Sequence, residues 1–532
     1  MTVQRADVVV VGGGHNGLVA GCYLAAAGVD VLVLEQADRL GGGSRTDEVI
    51  PGHLFDTHSA AHNIINMTDI PAELRLAEAG LEYREMDPFS VSVPTDGGTV
   101  RFWRSVERTV ESIREVAPAD ADRYAAWMRD AVPVVRAALS GVEAGSSRRR
   151  VLSALPGRVV ASVQAVRRNG GPLGLANLLT QPYGRVLDER FTTEHVKAPV
   201  AAFAAHGNAS PSRPGSAFFA IWQAIYHEFG QHHAVGGSQG LTDALVRRYA
   251  ASGGRWRTSA AVARVRRTGS ADGVGGRVEG VDLEDGGRVD APVVLTALDP
   301  RVAMLELLRP ALGGREGEAL AATRVGNTVQ ALVHLAVDRL PAYRDGRPED
   351  HHGLQSYVDT SAQLADGFAM ADAGLLPDDP VPTYAFTPSA LDETLAPPGR
   401  HTVYLACPSA PAHLRGGRRW DDVAEEFADR MVATVEARAP GFASTVVERR
   451  VRHPEQMAAE LRWPNAHPMY GDIGLDQLAF FRPTRALASH VAPVRGLFLT
   501  GAGTAPVGGV AGSPGRAAAK AVLARHPSLR RR

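Results

Sequence analysis

Cysteine is nearly absent from this chain: 532 residues carry two, Cys22 and Cys407, and no Cys-x-x-Cys pair. Both stand in apolar surroundings, which predicts reduced core thiols rather than a disulfide or a metal site. Net charge is nearly absent too. A formal value of -1 at pH 7 excludes an overall basic nucleic-acid binder and points to no strongly charged partner. No window approaches the ~20 uninterrupted apolar residues of a membrane span. The first apolar run is broken by glycines, so no signal peptide is expected there, and a cytoplasmic enzyme is the default. What remains is ordinary globular composition in a chain too long for one compact core, so two intertwined or consecutive domains are expected.

The organising stretch is Ala6 to Glu35, ADVVVVGGGHNGLVAGCYLAAAGVDVLVLE. Val8 to Val11 form a β-branched run too short for a helix and suited to a strand buried on both faces. Gly12, Gly14 and Gly17 follow in G-x-G-x-x-G spacing, then an Ala-rich helical pattern ending at Gly28, then a second buried strand from Val31 to Leu34. Gly12 permits the tight turn, Gly14 lets the backbone approach a pyrophosphate, and Gly17 lets helix and strand pack closely. Glu35 lies about 20 residues on, where a carboxylate accepts both ribose hydroxyls and repels a 2′-phosphate. The combination predicts a dinucleotide site and argues against NADP in it. The motif alone does not separate FAD from NAD.

A second glycine cluster, Gly41-Gly42-Gly43, follows the acidic residue. Taken together, GGGHNGLVA, LEQADRLGG and PGHLFDTHSAAH resemble the phytoene-desaturase-type FAD oxidoreductases, relatives of the amine oxidases. The late segment GLFLTGAGTAPVGGVAGSPGRAAAKAVLARH extends the resemblance to the far end of the chain. It implies an α/β fold: a Rossmann-type FAD-binding domain intertwined with an α+β substrate domain. The FAD-binding domain is expected from residues 1–68, 230–300 and 490–526. The substrate-binding domain would take 69–229 and 301–489, with a helical, Arg-rich part near 105–195.

The resemblance implies that FAD is held first by Gly12, Gly14, His15, Asn16 and Gly17, with Glu35 and Gln36 at the ribose. Gly42, Gly43, Ser44 and Arg45 would lie along the pyrophosphate and ribityl chain, and Val262 against the adenine. Gly501, Ala502, Gly503, Val510 and Gly512 would complete the site near the flavin. Two departures stand out. Many members have Arg directly after the Gly-Gly pair, where this chain has Gly43, so Arg45 or Arg39 would have to supply the charge. Many have Asp where this chain has Ala502, so a ribityl contact is lost or replaced by water. Gly236-Gly237-Ser238-Gln239-Gly240 is expected to run under the flavin, and the strand from Ala260 to Val265 to return to the FAD sheet.

His58 and His62 fall where the family's chain passes near the isoalloxazine ring. They read either as hydrogen-bonded pocket histidines or as an acid–base pair. On a helix their spacing would share one face, but no partnering acidic or Cys motif supports a metal. Elsewhere Ile70 to Gly80 reads as a helix, Ser90 to Phe102 as a hairpin, and Asn327 to Asp338 as a half-buried strand. The Gly-, Asp- and Pro-rich stretch from Tyr343 to Pro382 reads as a surface excursion. Between Ala144 and Leu187 there is no Asp or Glu, while Arg148, Arg149, Arg150, Arg158, Arg167 and Arg168 punctuate apolar sequence. That stretch reads as a solvated cationic face or lid, or as a surface that docks peripherally on anionic membrane.

The resemblance implies an FAD-dependent oxidoreductase acting on C–C or C=C bonds of an apolar, polyene-like or secondary-metabolite substrate. Alternatives are a flavin-dependent reductase, isomerase or cyclase, an amine oxidase, or a binder that keeps FAD for structure. An amine oxidase needs an aromatic cage, for which Trp463 and Tyr470 are the candidates. No second G-x-G-x-x-G is visible, so a dedicated NADH domain is not expected. The electron acceptor stays open between O₂, a quinone and a nicotinamide.

Overall fold

The computed structural model describes residues 4–143, 159–269, 273–478, 481–506 and 508–530. Val8–Val11 is the middle strand of a five-stranded parallel sheet. On one side lie Val31–Leu34 and then Arg255–Arg257, on the other Val293–Thr296 and then Leu497–Leu499. The three innermost strands bury every residue. Each valine there contributes about 1.5–3 kcal/mol of burial free energy, which explains why runs of four suffice.

One face of the sheet is covered by His15–Ala26, which packs between Gln239–Ala251 and Ser513–Arg525. The other face meets a second sheet. Its core is an antiparallel meander of Val262–Arg267, Val278–Leu283 and Arg288–Asp290. The strand holding Val262 therefore belongs to this meander, and the strand that returns to the parallel sheet is Arg255–Arg257. The reason is physical. Arg255-Trp256-Arg257 is largely exposed and forms the sheet's outer edge, where charged side chains are at home and hydrophobic patterning disappears.

The second domain is built on a seven-stranded sheet. Its order is Val446–Arg452, Thr328–Val337, His401–Pro411, Tyr384–Phe386, Leu354–Ser356, Ser90–Ser92 and Val100–Phe102. Ser90 to Phe102 is the expected hairpin. Thr328–Val337 is buried almost throughout rather than on one face. It lies between two cores: Leu332 belongs to the one shared with the helices of residues 106–229, Val333 and Leu335 to the one capped by Ala424–Glu436.

Tyr343 to Pro382 is not an unstructured excursion. It contributes the strand Leu354–Ser356 and the helix Ser361–Asp372. Thr360 caps that helix by accepting from the Gln363 N–H, and Leu364, Phe368 and Ala371 bury one side of it. Conversely, the helix read from Ile70 to Gly80 is regular only over Ile70–Glu73, and Arg75 turns into the left-handed region at φ 49°. Of the six arginines between 148 and 168, Arg148, Arg149, Arg150 and Arg158 lie outside the described residues. Arg167 and Arg168 are exposed on helical residues 159–168. Among the described residues no helix is long and apolar enough to cross a membrane.

Candidate active site

Where the two domains meet lies an open cleft, about 1120 Å³ when the solvent-filled space at its mouth is counted in. Its floor is the fingerprint turn. Gly12 takes φ +101°, and a Cβ on Gly17 would stand 2.2 Å from the Gly12 carbonyl oxygen, so only glycine allows this approach of helix to strand. The helix that starts at His15 has no side-chain cap at Gly14. The N–H groups of an uncapped first turn are the usual seat of an anion.

Glu35 is 8% exposed, and both its oxygens are engaged by backbone. Oε2 accepts from the Gly13 N–H at 2.7 Å and Oε1 from the Ala37 N–H at 2.9 Å. These bonds fix the carboxylate while leaving lone pairs on each oxygen for ribose hydroxyls. Gln36 lines the cleft beside it and donates Nε2 to the Glu460 carbonyl at 3.2 Å.

The second glycine cluster is pinned to the first. The Gly41 N–H donates to the Gly13 carbonyl at 3.0 Å, and Gly42 and Gly43 line the cleft. From the C-terminal loop come Gly501, Ala502, Gly509 and Val510. His15 meets the Gly509 carbonyl through Nε2 at 3.1 Å, joining the two ends of the chain at the site. Asn16 lines the floor with its buried Oδ1 lacking a partner, and Val262 closes one side.

Five of the residues expected at the cofactor or the chemistry are not in the lining. Ser44 is buried behind it, and its N–H donates to the Gly41 carbonyl. Arg45 turns to Asp47 at 2.8 Å and Glu460 at 3.1 Å, and Arg39 likewise to Asp47 at 2.9 Å, so carboxylates already claim both arginines. Gly503 faces a small recess with Pro300 and Tyr470. Gly512 caps the last helix and packs on Ile65 and Ile70. His62 is sealed away, bonded through Nε2 to Ser238 Oγ at 2.9 Å and through Nδ1 to Tyr83 Oη at 3.1 Å. Burial, with the neighbouring His15, His233 and His232, holds its imidazole down to about 3.

His58 does reach the cleft. Its Nδ1 is 3.0 Å from Thr57 Oγ1, its Nε2 is 3.5 Å from an Arg452 Nη, and its ring stands edge-on to Trp463 at 5.2 Å. Burial first, then the charges of Arg452 and Arg45 and the neighbouring His334, hold it well below the ordinary histidine value. It is therefore neutral near pH 7. Residues 57–61 are not helical, so His58 and His62 share no helix face. Among the described residues no cluster of three His, Cys, Asp or Glu could hold a metal.

The Gly236–Gly240 loop is not in the lining either. Gly236 donates its N–H to Asp392 at 2.7 Å, and Ser238 donates its N–H to Asp56 at 2.7 Å. The loop thus braces, from behind, the hairpin of Thr46–Ile50 and His53–Asp56 that leads into His58.

Sequence reasoning missed Gly509, Leu461 and Arg462 in the lining. Gly509 sat inside the recognised C-terminal loop, so that loop was its signal. Leu461 and Arg462 carry none, because only the tertiary fold brings them to a turn some 420 positions earlier. Trp463 and Tyr470 both line the cleft, with ring centroids 5.6 Å apart at 63°.

A parallel sheet, an uncapped helix over a glycine turn and a backbone-fixed carboxylate after the second strand form the frame of a dinucleotide site. The family described as "Flavin containing amine oxidoreductase" matches residues 17–523, and the chain belongs to it. A mouse protein, pyridine nucleotide-disulfide oxidoreductase domain-containing protein 2, is 32% identical over 97% of this chain and 93% of its own. The neurosporene-forming phytoene desaturase of Rhodobacter capsulatus is 26% identical over 96% of this chain and 92% of its own. A redesigned putrescine oxidase shares the fold at a TM-score of 0.60 and 16% identity, over 99% of this chain and all of that one.

The protein is an FAD-dependent oxidoreductase. The cleft fits that cofactor: the uncapped helix start suits the diphosphate, Glu35 the ribose, and the orphaned Asn16 Oδ1 a ligand donor.

Proposed function

We propose that the enzyme dehydrogenates a C–C bond in a largely apolar, polyene-like or secondary-metabolite substrate. The observation that supports this reading best is the chemistry of the cleft beyond Glu35. Among the described lining residues Glu35 is the one carboxylate, and the side chains it shares the lining with include His58, Ser59, Trp463, Pro468 and Tyr470. No second acidic side chain waits there for a cationic or strongly polar group. The resemblance of the whole chain to a phytoene desaturase points the same way.

Bound FAD supplies a two-electron acceptor. A C–H bond next to a conjugated system can give up hydride, because the developing positive charge is delocalised, while the adjacent carbon loses a proton and the double bond forms. In this reading His58 takes that proton, since it is neutral and at the cleft. The electrons then leave to O₂, a quinone or a nicotinamide.

The amine-oxidase alternative is less well served. A cage needs two ring faces with a gap between them, whereas Trp463 and Tyr470 meet edge to face in mutual contact. Disulfide chemistry has no redox pair here, because Cys22 and Cys407 are free, buried and in separate cores.

Anaerobic mixing of the purified protein with polyenes, amines and natural-product intermediates tests the proposal through bleaching of the flavin absorbance. Bleaching by a polyene is the expected result. Bleaching only by amines would overturn it, and no bleaching by any substrate class would favour a binder that keeps FAD for structure.

A further inference from the structure

The segment from Leu461 to Tyr470 is a strap from the second domain that lines the cofactor cleft with Leu461, Arg462, Trp463, Pro468 and Tyr470. The helix Pro454–Leu461 stops at Arg462, which turns left-handed at φ 52°. Asn465, Ala466 and Tyr470 do the same, so four of the eight non-glycine residues with positive φ among the described residues lie within nine positions. Such strain persists where the surroundings over-determine it, typically at ligand clamps.

The surroundings here are specific. Gln36 donates to the Glu460 carbonyl, Glu460 receives Arg45 and Arg452, and Asn465 is held by His413 at 2.8 Å and the Gly326 carbonyl at 3.1 Å. The strap thus starts beside the ribose-side residues. It reaches the glycine pair at Trp463, whose ring would stand 2.7 Å from a Cβ on Gly43. Arg462 stands between those two points in the chain and itself lines the cleft.

Charge accounting singles out the same residue. The diphosphate of FAD carries two negative charges. Among the described residues lining the cleft, Arg462 is the one Lys or Arg, while Arg39 and Arg45 are bound to carboxylates elsewhere. Its partner Glu284 is 3.4 Å away, and the two side chains are 44% and 54% exposed. An exposed pair of that kind contributes little and exchanges readily for a dianion.

We propose that Arg462, presented by the strained strap 461–470, is the cation that binds the cofactor's diphosphate. The proposal rests on the reading of the cleft as the FAD site. Flavin-free protein should be titrated with FAD, following quenching of flavin fluorescence, at low and high salt. Arg462→Asn removes the charge while keeping a residue that accepts the left-handed conformation, and Arg462→Lys keeps the charge.

The Asn variant is expected to raise the FAD Kd about tenfold or more and to flatten its salt dependence. The Lys variant should stay within about threefold of wild type. An Asn variant with wild-type Kd and salt dependence, or a Lys variant as weak as Asn, would overturn the proposal alone. Wild-type protein that takes up no FAD at either salt would overturn the reading of the cleft and the proposal with it.

Discussion

The fingerprint turn and the strap across it approach one cleft from opposite sides and by opposite means. At the turn, and in the C-terminal loop beside it, the unusual backbone angles fall on glycines, Gly12 at φ +101° and Gly501 at φ +114°, and what the uncapped helix start offers is backbone N–H. On the strap the left-handed positions fall on Arg462, Asn465, Ala466 and Tyr470, and what reaches the cleft is side chain. The turn is relaxed and specified by its own few residues. The strap is strained and is held by hydrogen bonds and ion pairs from both domains. The lesson is a division of labour: local glycine chemistry seats the cofactor, and tertiary structure decides what surrounds it.

That division can be tested by effects of different kind and size. The largest is expected at His58, which comes from the side-chain region. His58→Ala should slow substrate-dependent flavin reduction by about 10²-fold or more with the FAD spectrum unchanged, read by anaerobic stopped-flow. The pH profile sharpens this. The His58 pKa is depressed, so the neutral form persists as pH falls through 6.5 and is lost only below the depressed value. The wild-type rate should therefore show no inflection near 6.5. An inflection there that disappears in His58→Ala would mean the imidazole is not held neutral.

Glu35, on the backbone-dominated side, should show the converse split. Glu35→Ala is expected to weaken FAD binding by about 1.5–3 kcal/mol, since charge-assisted bonds to ribose are lost and the Gly13 and Ala37 N–H groups lose their acceptor. Flavin reduction in the FAD-saturated variant should stay near wild type. Unchanged affinity would break the comparison at its better-defined end.

The smallest effect is on the strap itself. Ala466→Gly relieves a left-handed alanine at φ 56° but adds unfolded-state entropy, for a net stabilisation of about 0.5–1 kcal/mol in chemical denaturation. A destabilised variant would show that Ala466 is not strained.

The same contrast explains what could be read from the chain before folding. The strand–turn–helix from Val8 to Ala26 was legible because glycine spacing and β-branched runs act locally. Arg255–Arg257 was not legible, because an edge strand answers to solvent and reads as polar sequence. Ser361–Asp372 hid because only Leu364 and Phe368 are large among its buried positions, Gly367 and Ala371 being small. The i, i+4 spacing of His58 and His62 carries weight only on a helix, and the backbone there is extended and turning, so one histidine reaches the cleft and the other is walled in. Arg462 could not be found at all, since nothing in its own neighbourhood encodes its place in the lining of this cleft.

The contact of His15 with the Gly509 carbonyl spans 494 positions, and it has a meaning for biosynthesis. A polypeptide emerges from the ribosome in order, so the glycine turn appears well ahead of the strand Leu497–Leu499 and the helix Ser513–Arg525 that complete the cradle. Until then Val293–Thr296 is an open parallel edge of four buried aliphatic and threonine residues, the kind of surface that recruits neighbouring chains. The cleft is therefore complete only once the chain has been made through the loop that carries Gly509. A product of premature termination would carry the entire N-terminal fingerprint and still lack a complete cofactor cradle.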